Sequence, residues 1–580
     1  MEERGLAAYV LPSSDPHQSE YPPEHWKHRA WLSGFHGSAG TVVVTMQRAG
    51  LWTDFRYFIE AESALSGSGI ELFRLDEPGV PDYPDWLATE LDRGERVGFD
   101  ADCVSIAAAR SLETSLSAKG IDLVPGEDLV AMLRDDRPAL PNRPVFLHDT
   151  KFAGKSRGEK LSALRTQMKN LDADHHLIST LDDIAWLLNL RGSDVSYNPV
   201  AVAHLVVGPD RALLHTDVER CPDDVRVELE TDGVVLLPYA GAAESVAAIP
   251  DGAGVIVSPQ QVSVAMRSRL RPGVRVVERL NLTTETKARK NATELDHLQR
   301  VMVRDGVAMV RFIHWLVTSV GRDEITELSA EAKLRDLRAE GENFVSESFR
   351  TISAYRGHGA IVHYAASPET STLLEPAGIY LVDSGAQYYD GTTDITRTVA
   401  LGEASDQVRR DFTLVLKGHI GLATLRFPPG TSGHMIDAIC REHLWRERMN
   451  YGHGTGHGVG FFLNVHEGPH RISQHPNDVA LSQGMVVSNE PGLYRPDQYG
   501  IRTENLVTVV EDGQSEFGSF LRFETLTLCP IDRSLIDVAM LMPAERMWID
   551  DYHRRVRDRL LGHLDGPART WLEAACAPVA

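Results

Sequence analysis

Four carboxylates in the last third of the chain have the residue types and spacing of a metal site. Asp383 and Asp394 lie in one pair of strand-like runs, and Glu490 and Glu504 lie in a second pair with the same pattern. An aspartate inside an apolar strand such as IYLVDSG costs several kcal/mol unless it is paired or bound to a cation. Four carboxylates can neutralise two divalent cations, so the pattern predicts a dinuclear metal centre. The structural alternatives are turn-capping aspartates and surface acids on a β-ribbon.

Histidines occupy the interval between the two acid pairs. His453, His457 and His466 all occur in the glycine-rich stretch HGTGHGVGFFLNVHEG. The glycines predict a loop whose backbone approaches another group closely. Four carboxylates with one imidazole form a hard, oxygen-rich ligand set. Such a set suits two manganese ions per subunit, with cobalt or zinc as substitutes.

The first pair of carboxylates is predicted to lie on a β-hairpin. Residues 378–401 have the pattern of two strands joined at Asp390 and Gly391, a dipeptide typical of two-residue turns. That turn pairs position 383 with position 398. Both aspartates then share a face but lie far apart along the strand, so a bulge or bend is also predicted.

The second pair is predicted to lie on a similar hairpin at residues 484–510, with a Pro- and Gly-rich loop between its strands. Alternation along its second strand places Arg502 on the same face as Glu504. We therefore expect the guanidinium to orient that carboxylate or a bound substrate.

Three short motifs resemble known catalytic or cofactor-binding motifs, but the residues around each of them exclude that function. GKSRG at 154–158 matches the serine elbow, but no apolar strand precedes it and a helical run follows. HEGPH at 466–470 matches the zinc motif H-E-x-x-H, which requires a helix, and Gly468 and Pro469 make that helix implausible. The glycine spacing of HGTGHGVG does not fit a dinucleotide-binding turn.

The charge balance excludes several classes of partner. A net charge of -23 is unsuited to nucleic acid or an anionic membrane, whereas a peptide ligand is compatible with it. The five cysteines are scattered without a C-x-x-C pair, which indicates reduced thiols. The N-terminal residues are acidic where a signal peptide is basic, and no apolar run reaches membrane-spanning length. We expect a cytoplasmic protein.

The length of 580 residues predicts several domains. The fold class is α/β (α+β), with α/β domain I at 1–138, α/β domain II at 139–284 and a catalytic domain with a C-terminal helical extension at 285–580. A Pro- and Arg-rich stretch at 135–144 is the predicted linker, and GLWTDFRYFIEA is a predicted strand. Asn291, with a glutamate three residues later, predicts the start of a long helix.

These motifs together resemble the aminopeptidase P (Xaa-Pro aminopeptidase) family of the pita-bread metallopeptidases, especially its long, three-domain cytosolic branch. The resemblance rests on GAIVHYAA, DSGAQYYDGTTDITRT, HGTGHGVGFFLNVHEGP, NEPGLY and GIRTEN, with HQSEY, SGFHGSAGT, WTDFRYF and NLRGSDVSYNPV upstream. It implies two creatinase/aminopeptidase P-type N-terminal domains, a C-terminal pita-bread domain and a homodimer.

The resemblance also implies a role for each site residue. It makes Asp394 and Glu504 ligands that bridge two metals, Asp383 a ligand of one metal, and His457 and Glu490 ligands of the other. It implies catalytic roles for His363, His466 and Glu490. The substrate-binding residues that it implies are His363, His453, His466, Tyr494 and Arg502.

The implied reaction removes the N-terminal residue from peptides with proline in the second position. That bond is a tertiary amide without an N–H, so peptidases that bind substrate through that group cannot use it. The expected nucleophile is a hydroxide that bridges the two metals.

Within the fold, a prolidase would cut only dipeptides, a methionine aminopeptidase would favour N-terminal methionine, and a creatinase would need no metal. The complete ligand set argues against a creatinase, and the two N-terminal domains argue against a methionine aminopeptidase and, less strongly, against a prolidase. A non-catalytic pita-bread binding protein is the alternative from another class, and loss of metal ligands would be its signature.

Overall fold

The computed structural model describes residues 1–579 and is a mixed α/β protein. The chain forms two compact units. The first comprises residues 1–150 and 155–286, and the second begins at residue 287 and includes residues 151–154. Among the described residues, no helix combines the length and the apolar character needed to cross a membrane.

The first part of unit one is a six-stranded mixed sheet with spatial order β4-β3-β2-β1-β5-β6. Its strands are β1 (Ala8–Pro12), β2 (Thr41–Thr45), β3 (Ala49–Thr53), β4 (Ile70–Arg74), β5 (Arg96–Asp100) and β6 (Asp122–Gly126). The accompanying helices are α1 (His28–Ser33), α2 (Phe58–Leu65), α3 (Tyr83–Glu90) and α4 (Ile106–Ser117). The sequence GLWTDFRYFIEA is therefore a strand only in its first half, because Asp54 caps a 3-10 turn that leads into α2. The prediction of one strand there was wrong.

The second part of unit one is another six-stranded sheet, with spatial order β12-β11-β10-β8-β13-β14. The strands of this part are β7 (Phe146–Leu147), β8 (His175–Ile178), β9 (Leu190–Arg191), β10 (His204–Val207), β11 (Ala212–Thr216), β12 (Val234–Pro238), β13 (Gly254–Val257) and β14 (Arg275–Glu278). The helices of this stretch are α5 (Thr150–Ala153), α6 (Arg157–Asn170), α7 (Leu181–Leu188), α8 (Asp223–Thr231), α9 (Ala242–Ala247), α10 (Val264–Ser268) and α11 (Leu282–Lys287). All of α5 except its first residue belongs to unit two. Ser156 accepts a hydrogen bond from the Glu159 backbone as the N-cap of α6. The serine of GKSRG is thus a helix cap.

Unit two surrounds its strands with six helices: α12 (Ala292–Ser319), α13 (Glu327–Ala339), α14 (Asp406–Ala423), α15 (Gly433–Arg446), α16 (Pro543–Leu560) and α17 (Gly566–Ala575). Its strands are β15 (Phe344–Glu347), β16 (Ile352–Tyr355), β17 (Ile379–Ser384), β18 (Ala386–Tyr388), β19 (Gly391–Thr392), β20 (Ile395–Ala400), β21 (Arg426–Phe427), β22 (Gly456–Gly458), β23 (Glu467–Ile472), β24 (Val486–Asn489), β25 (Gly492–Arg495), β26 (Tyr499–Arg502), β27 (Asn505–Ser515) and β28 (Gly518–Thr525). The largest sheet has the order β21-β28-β27-β24-β22-β23. The predicted long helix is confirmed as α12, and Asn291 and Glu294 form its capping box.

The first hairpin turns one residue earlier than predicted. Tyr388 pairs with Gly391, so the turn residues are 389 and 390, and Asp383 pairs with position 396 rather than 398. The register prediction was wrong because Gly391 serves packing instead of the turn. A Cβ on Gly391 would lie 2.9 Å from the side chain of Leu298 on α12.

Both hairpins are interrupted halfway along, where their strands pass from one sheet to another. In the first hairpin, β17 and β20 belong to one sheet and β18 and β19 to another. In the second hairpin, β24 and β27 belong to one sheet and β25 and β26 to another. Gly385 permits the first crossing, since a Cβ there would lie 2.0 Å from the Thr393 carbonyl oxygen. The bend that the sequence required is therefore supplied by a change of sheet.

The C-terminal helices α16 and α17 pack their apolar faces on the core of unit two. Ile549, Val556, Leu560 and Leu572 belong to the main hydrophobic cluster of the unit. These two helices form the C-terminal helical extension that the sequence predicts, and their apolar faces are buried within the chain itself.

Candidate metal centre

The interruptions of the two hairpins are where the predicted carboxylates lie. Asp394 stands in the gap before β20, and Glu490 and Glu504 stand in the gaps after β24 and before β27. Asp383 is the last residue but one of β17. Within a regular ladder these side chains would alternate between faces, whereas a gap lets the chain turn its carboxylates toward one point.

His457 completes this group from β22. Its Nε2 lies 3.5 Å from Asp394 Oδ2 and 3.5 Å from Glu490 Oε1. Its Nδ1 lies 2.9 Å from the Gly458 carbonyl oxygen, so Nδ1 donates there and Nε2 faces the carboxylates. One donor atom each from Asp394, His457 and Glu504 lie within 4.8 Å of one another.

The glycines around His457 allow its strand to lie this close to its neighbours. A Cβ on Gly456 would lie 1.9 Å from the Ser488 carbonyl oxygen, and one on Gly458 would lie 2.2 Å from the Glu467 carbonyl oxygen. The predicted close backbone approach is present, although residues 456–458 form a strand and not a loop.

Three carboxylates of this group each keep one buried oxygen without a hydrogen-bond partner. These atoms are Asp383 Oδ1, Asp394 Oδ1 and Glu504 Oε1. An unpaired buried carboxylate oxygen is costly, and a cation removes that cost. The oxygen-rich donor set with one imidazole nitrogen therefore fits hard or borderline divalent metal ions.

The acid–base behaviour of the group follows from its burial and crowding. Burial raises the pKa of Glu490 to about 7, and the charges of Asp394 and Asp383 raise it further while His457 and Arg502 oppose the shift. Burial followed by repulsion from the other carboxylates raises the pKa of Glu504 well above its ordinary range.

The pKa values of Asp383 and His457 are shifted by burial and by neighbouring charges as well. Burial is also the main cause of the raised pKa of Asp383, which Arg502 partly offsets. Burial lowers the pKa of His457, but the hydrogen bond to Asp394 and the charge of Glu490 outweigh it and raise the value to about 9.

Arg502 contacts a different carboxylate from the one predicted. Its Nη2 donates to Asp383 Oδ2 at 2.6 Å, and its Nε donates to Thr396 Oγ1 at 3.2 Å. The Thr396 hydroxyl in turn donates to Glu504 Oε2 at 2.7 Å. The expectation that Arg502 orients a carboxylate holds for Asp383, whereas its effect on Glu504 passes through a threonine. The alternation of side chains along the strand predicted the face on which Arg502 lies. It could not predict that Asp383, on another strand, would be its partner.

A line of hydrogen bonds runs from Asp383 through Arg502 toward the histidines of the predicted substrate side. Arg502 Nη1 donates to the Tyr494 hydroxyl at 2.6 Å, and this hydroxyl lies 2.7 Å from His453 Nε2. His453 Nδ1 lies 2.7 Å from the Gly454 carbonyl oxygen and donates to it. The Tyr494 hydroxyl therefore donates to His453, and burial raises its pKa to about 12.

The remaining predicted histidines, His363 and His466, lie on two loops. The His466 ring lies edge to face with the His457 ring at 4.4 Å between centroids. His363 follows Val362, whose carbonyl oxygen lies 3.5 Å from Arg502 Nη2. The second residue of HEGPH, Glu467, lies on β23 and forms an ion pair with Lys287 at 3.1 Å. The exclusion of a helical zinc motif there is confirmed.

Sequence reasoning missed two buried residues that brace the ligand strands. Arg397 Nη1 donates to the Glu504 carbonyl oxygen at 2.6 Å, and its Nη2 donates to the Tyr552 hydroxyl of α16 at 2.9 Å. His419 on α14 lies 3.1 Å from the Asn489 carbonyl oxygen. Its other nitrogen lies 3.2 Å from Asn505 Nδ2. The sequence does contain a signal for Arg397, which is an arginine inside the apolar strand ITRTVA. No neighbouring residue in the sequence indicates the role of His419.

Fold and site together define a pita-bread metallopeptidase: two α/β domains precede a catalytic domain whose carboxylates and one histidine converge at interrupted hairpins. The comparisons with known proteins agree. Residues 296–511 match the profile of metallopeptidase family M24, and residues 519–579 match the C-terminal region of that peptidase. Residues 1–135 and 136–294 each match a creatinase/prolidase N-terminal domain.

Relatives that match over nearly their full length identify the family within the metallopeptidases. A probable Xaa-Pro aminopeptidase P of Laccaria bicolor is 39% identical over 597 residues, covering 100% of this chain and 92% of the relative. Xaa-Pro aminopeptidase 1 of Dictyostelium discoideum is 39% identical over 97% of this chain and 91% of its own length. The chain belongs to the Xaa-Pro aminopeptidase (aminopeptidase P) family.

A solved structure agrees with this assignment. The X-prolyl aminopeptidase of Caenorhabditis elegans, described as a cytosolic enzyme with a di-nuclear active site, superposes with a TM-score of 0.94 at 36% identity. The match covers 99% of this chain and 95% of that chain. This chain is accordingly a metallopeptidase with creatinase-type N-terminal domains and a C-terminal M24 domain.

Proposed function

We infer that this enzyme removes the N-terminal residue from peptides whose second residue is proline, and that it does so with two divalent metal ions. The observation that carries this proposal is the convergence of Asp394 and Glu504 with His457. Glu490 lies 3.5 Å from the same imidazole, and Asp383, Asp394 and Glu504 each keep a buried oxygen without a partner. The names of its full-length relatives support aminopeptidase activity over the prolidase alternative.

We assign the metal ligands by position. Asp394 and Glu504, each with an oxygen in the group that converges with His457, would hold both ions, as the family resemblance implies. Asp383 would hold one ion together with these bridging groups, and its contact with Arg502 would keep one oxygen oriented while the other faces the metal. His457 and Glu490 would hold the second ion.

Two cations bound here would lower the pKa of a shared water from about 15.7 to about 7 and supply hydroxide at neutral pH. Glu490 is placed beside His457, where we propose that it takes the proton of the attacking water and delivers it to the proline nitrogen. His363 or His466 would donate a hydrogen bond to the developing oxyanion.

The line of Arg502, Tyr494 and His453 would fix the substrate relative to the ligands. The guanidinium ties the Tyr494 hydroxyl to Asp383, so a group that binds at Tyr494 or His453 is held in register with the metal centre. This matters for a proline substrate, which offers no N–H at the scissile bond for recognition.

Manganese is the proposed native metal, with cobalt or zinc as alternatives, because the donors are mostly carboxylate oxygens. Elemental analysis of protein purified without added metal, followed by reconstitution with each ion, tests this. Two equivalents of manganese per chain with the highest restored turnover are expected. A preference for zinc at matched occupancy would overturn the assignment.

We also propose a homodimer in the cytoplasm. The dimer rests on the family alone, since the apolar faces of α16 and α17 pack within the chain. The cytoplasmic location is supported by five free, buried cysteines and by the description of the worm relative as cytosolic. Sedimentation equilibrium and cell fractionation test the two proposals, and a monomer or a secreted protein would contradict them.

The test of the activity is hydrolysis of Arg-Pro-Pro, Arg-Ala-Ala and the dipeptide Arg-Pro by metal-stripped enzyme with and without manganese. We expect manganese-dependent cleavage of Arg-Pro-Pro and none of Arg-Ala-Ala. Cleavage chiefly of Arg-Pro would identify a prolidase instead. No cleavage together with no bound metal would favour a binding protein.

A further inference from the structure

A cavity of about 520 Å³ lies beside α12, away from the predicted site residues in sequence and lined by none of them. Its walls come from α12, the end of α13 and the end of α16. Five arginines line it: Arg300, Arg304, Arg311, Arg338 and Arg559. In a chain with a net charge of -23, five arginines around one cavity are a local concentration of guanidinium groups.

Four of these arginines are already held by carboxylates. Arg311 contacts Glu340 at 2.6 Å, Arg338 contacts Asp305 at 2.9 Å, Arg304 contacts Asp390 at 2.5 Å, and Arg300 is paired with Asp296. These ion pairs fix the orientation of the guanidinium groups before any ligand arrives.

Two basic groups at the cavity have no acidic partner. Arg559, exposed at the end of α16, and His563 form no ion pair and no side-chain hydrogen bond within residues 1–579. The carboxylates of Glu340 and Glu342 also line the cavity, and Glu342 offsets the charge of Arg559.

Two of the paired arginines retain unused donors. Arg338 is 1% exposed, yet its Nη1 has no hydrogen-bond acceptor, and Arg304 Nε likewise has none. A buried donor left without an acceptor is uncommon and requires an explanation. An oxyanion in the cavity would provide acceptors for these arginines after a small rotation of their side chains.

We propose that this cavity binds a small molecule that carries a phosphate or diphosphate group. Guanidinium groups match phosphate oxygens in pairs of parallel hydrogen bonds, and several arginines around one cavity are suited to a multiply charged oxyanion. The volume lies within the range of small-ligand sites. Val303, Val307 and Leu337 form an apolar wall for the remainder of such a ligand. The strongly negative chain disfavours a nucleic acid as the occupant.

The site is connected to the proposed metal centre by hydrogen bonds. Arg338 Nη2 donates to the Ser384 carbonyl oxygen at 3.3 Å, and Ser384 is adjacent to Asp383. Arg304 holds Asp390 in the turn of the hairpin that ends at Asp394. A ligand that draws these two guanidinium groups toward itself therefore weakens contacts that support both aspartates, and occupation of the cavity lowers turnover.

The binding test is calorimetric titration of inorganic phosphate into manganese-loaded enzyme at constant ionic strength. Wild type is compared with Arg559→Ala and with Arg554→Ala, an exposed arginine of the same helix that pairs with Asp551 instead. We expect saturable millimolar or tighter binding, weakened at least fivefold in Arg559→Ala and unchanged in Arg554→Ala. Absence of saturable binding, or equal affinity in wild type and Arg559→Ala, would overturn the site, the latter by placing the phosphate at the metals.

The connection to the metal centre is tested by turnover of Arg-Pro-Pro with and without saturating phosphate, with chloride added to match the ionic strength. A lower kcat is expected in wild type and in Arg554→Ala but not in Arg559→Ala. An unchanged kcat in wild type while calorimetry shows the cavity occupied would overturn the connection.

Discussion

Removal of the metal is expected to make the catalytic unit less stable as the pH rises. In the metal-free protein, burial raises the pKa of Glu490 from 4.5 to about 7. Between these values the unfolded chain has lost a proton that the folded chain retains. The free energy of unfolding then falls by about 1.4 kcal/mol per pH unit, or roughly 3 kcal/mol over the interval.

His457 acts in the same direction at higher pH. Its pKa is raised from 6.5 to about 9, so its contribution to stability is complete below pH 6.5 and is lost as the pH rises toward 9. The two groups interact, and their contributions do not simply add. Metal loading requires deprotonated ligands and becomes more favourable over the same range.

The assay is thermal unfolding from pH 5 to pH 9 of chelator-treated and manganese-loaded protein. The difference in Tm between the two forms should widen with pH, by on the order of 6 °C between pH 5 and pH 7 for about 3 kcal/mol. Glu490→Gln, which removes the titrating carboxyl, should flatten the metal-free curve between pH 5 and pH 7. A metal-free Tm that rises over this range, or a constant difference between the forms, would refute the reasoning.

Three further changes probe single residues. His466→Ala should lower turnover at least ~100-fold while bound metal, measured by elemental analysis, stays constant; loss of metal would make His466 a structural support. Arg502→Lys keeps the charge but loses the fork between Asp383 and Tyr494, so metal affinity or turnover should fall roughly 10- to 100-fold; unchanged values for both would contradict this role. Gly385→Ala should cost at least about 3 kcal/mol in urea unfolding because its Cβ meets a backbone oxygen. Gly562→Ala, where nothing lies within 4 Å, should be nearly neutral, and equal effects of the two changes would argue against a tight crossing at Gly385.

The residues of the site were predictable from the sequence because their chemistry is costly in its setting. A carboxylate inside an apolar strand, as at Asp383, has few stable outcomes without a cation. The glycines beside His457 were also predictable, because only glycine allows two backbones to lie so close together. At such positions the few neighbouring residues in the sequence are enough to predict the role of the residue.

Features that depend on a distant partner were not predictable in this way. The turn of the first hairpin was misplaced because Gly391 is required by the side chain of Leu298, which lies on another element. Alternation along the strand gave the face of Arg502, but its partner Asp383 is 119 residues away. The α2 helix replaced a predicted strand because Asp54 caps the turn before it, a local signal that the apolar pattern concealed.

The bracing of Arg397 by Tyr552 has a consequence for the order of synthesis. The last predicted ligand, Glu504, leaves the ribosome before α16 is made, yet the guanidinium that holds the Glu504 carbonyl oxygen also binds the Tyr552 hydroxyl of that helix. At 5–20 residues per second, the segment between these two residues takes roughly 2 to 10 s to translate. During that interval a nascent chain carries every ligand without the helix that fixes them, so catalytic competence arrives with the C-terminal helix and not with the ligands.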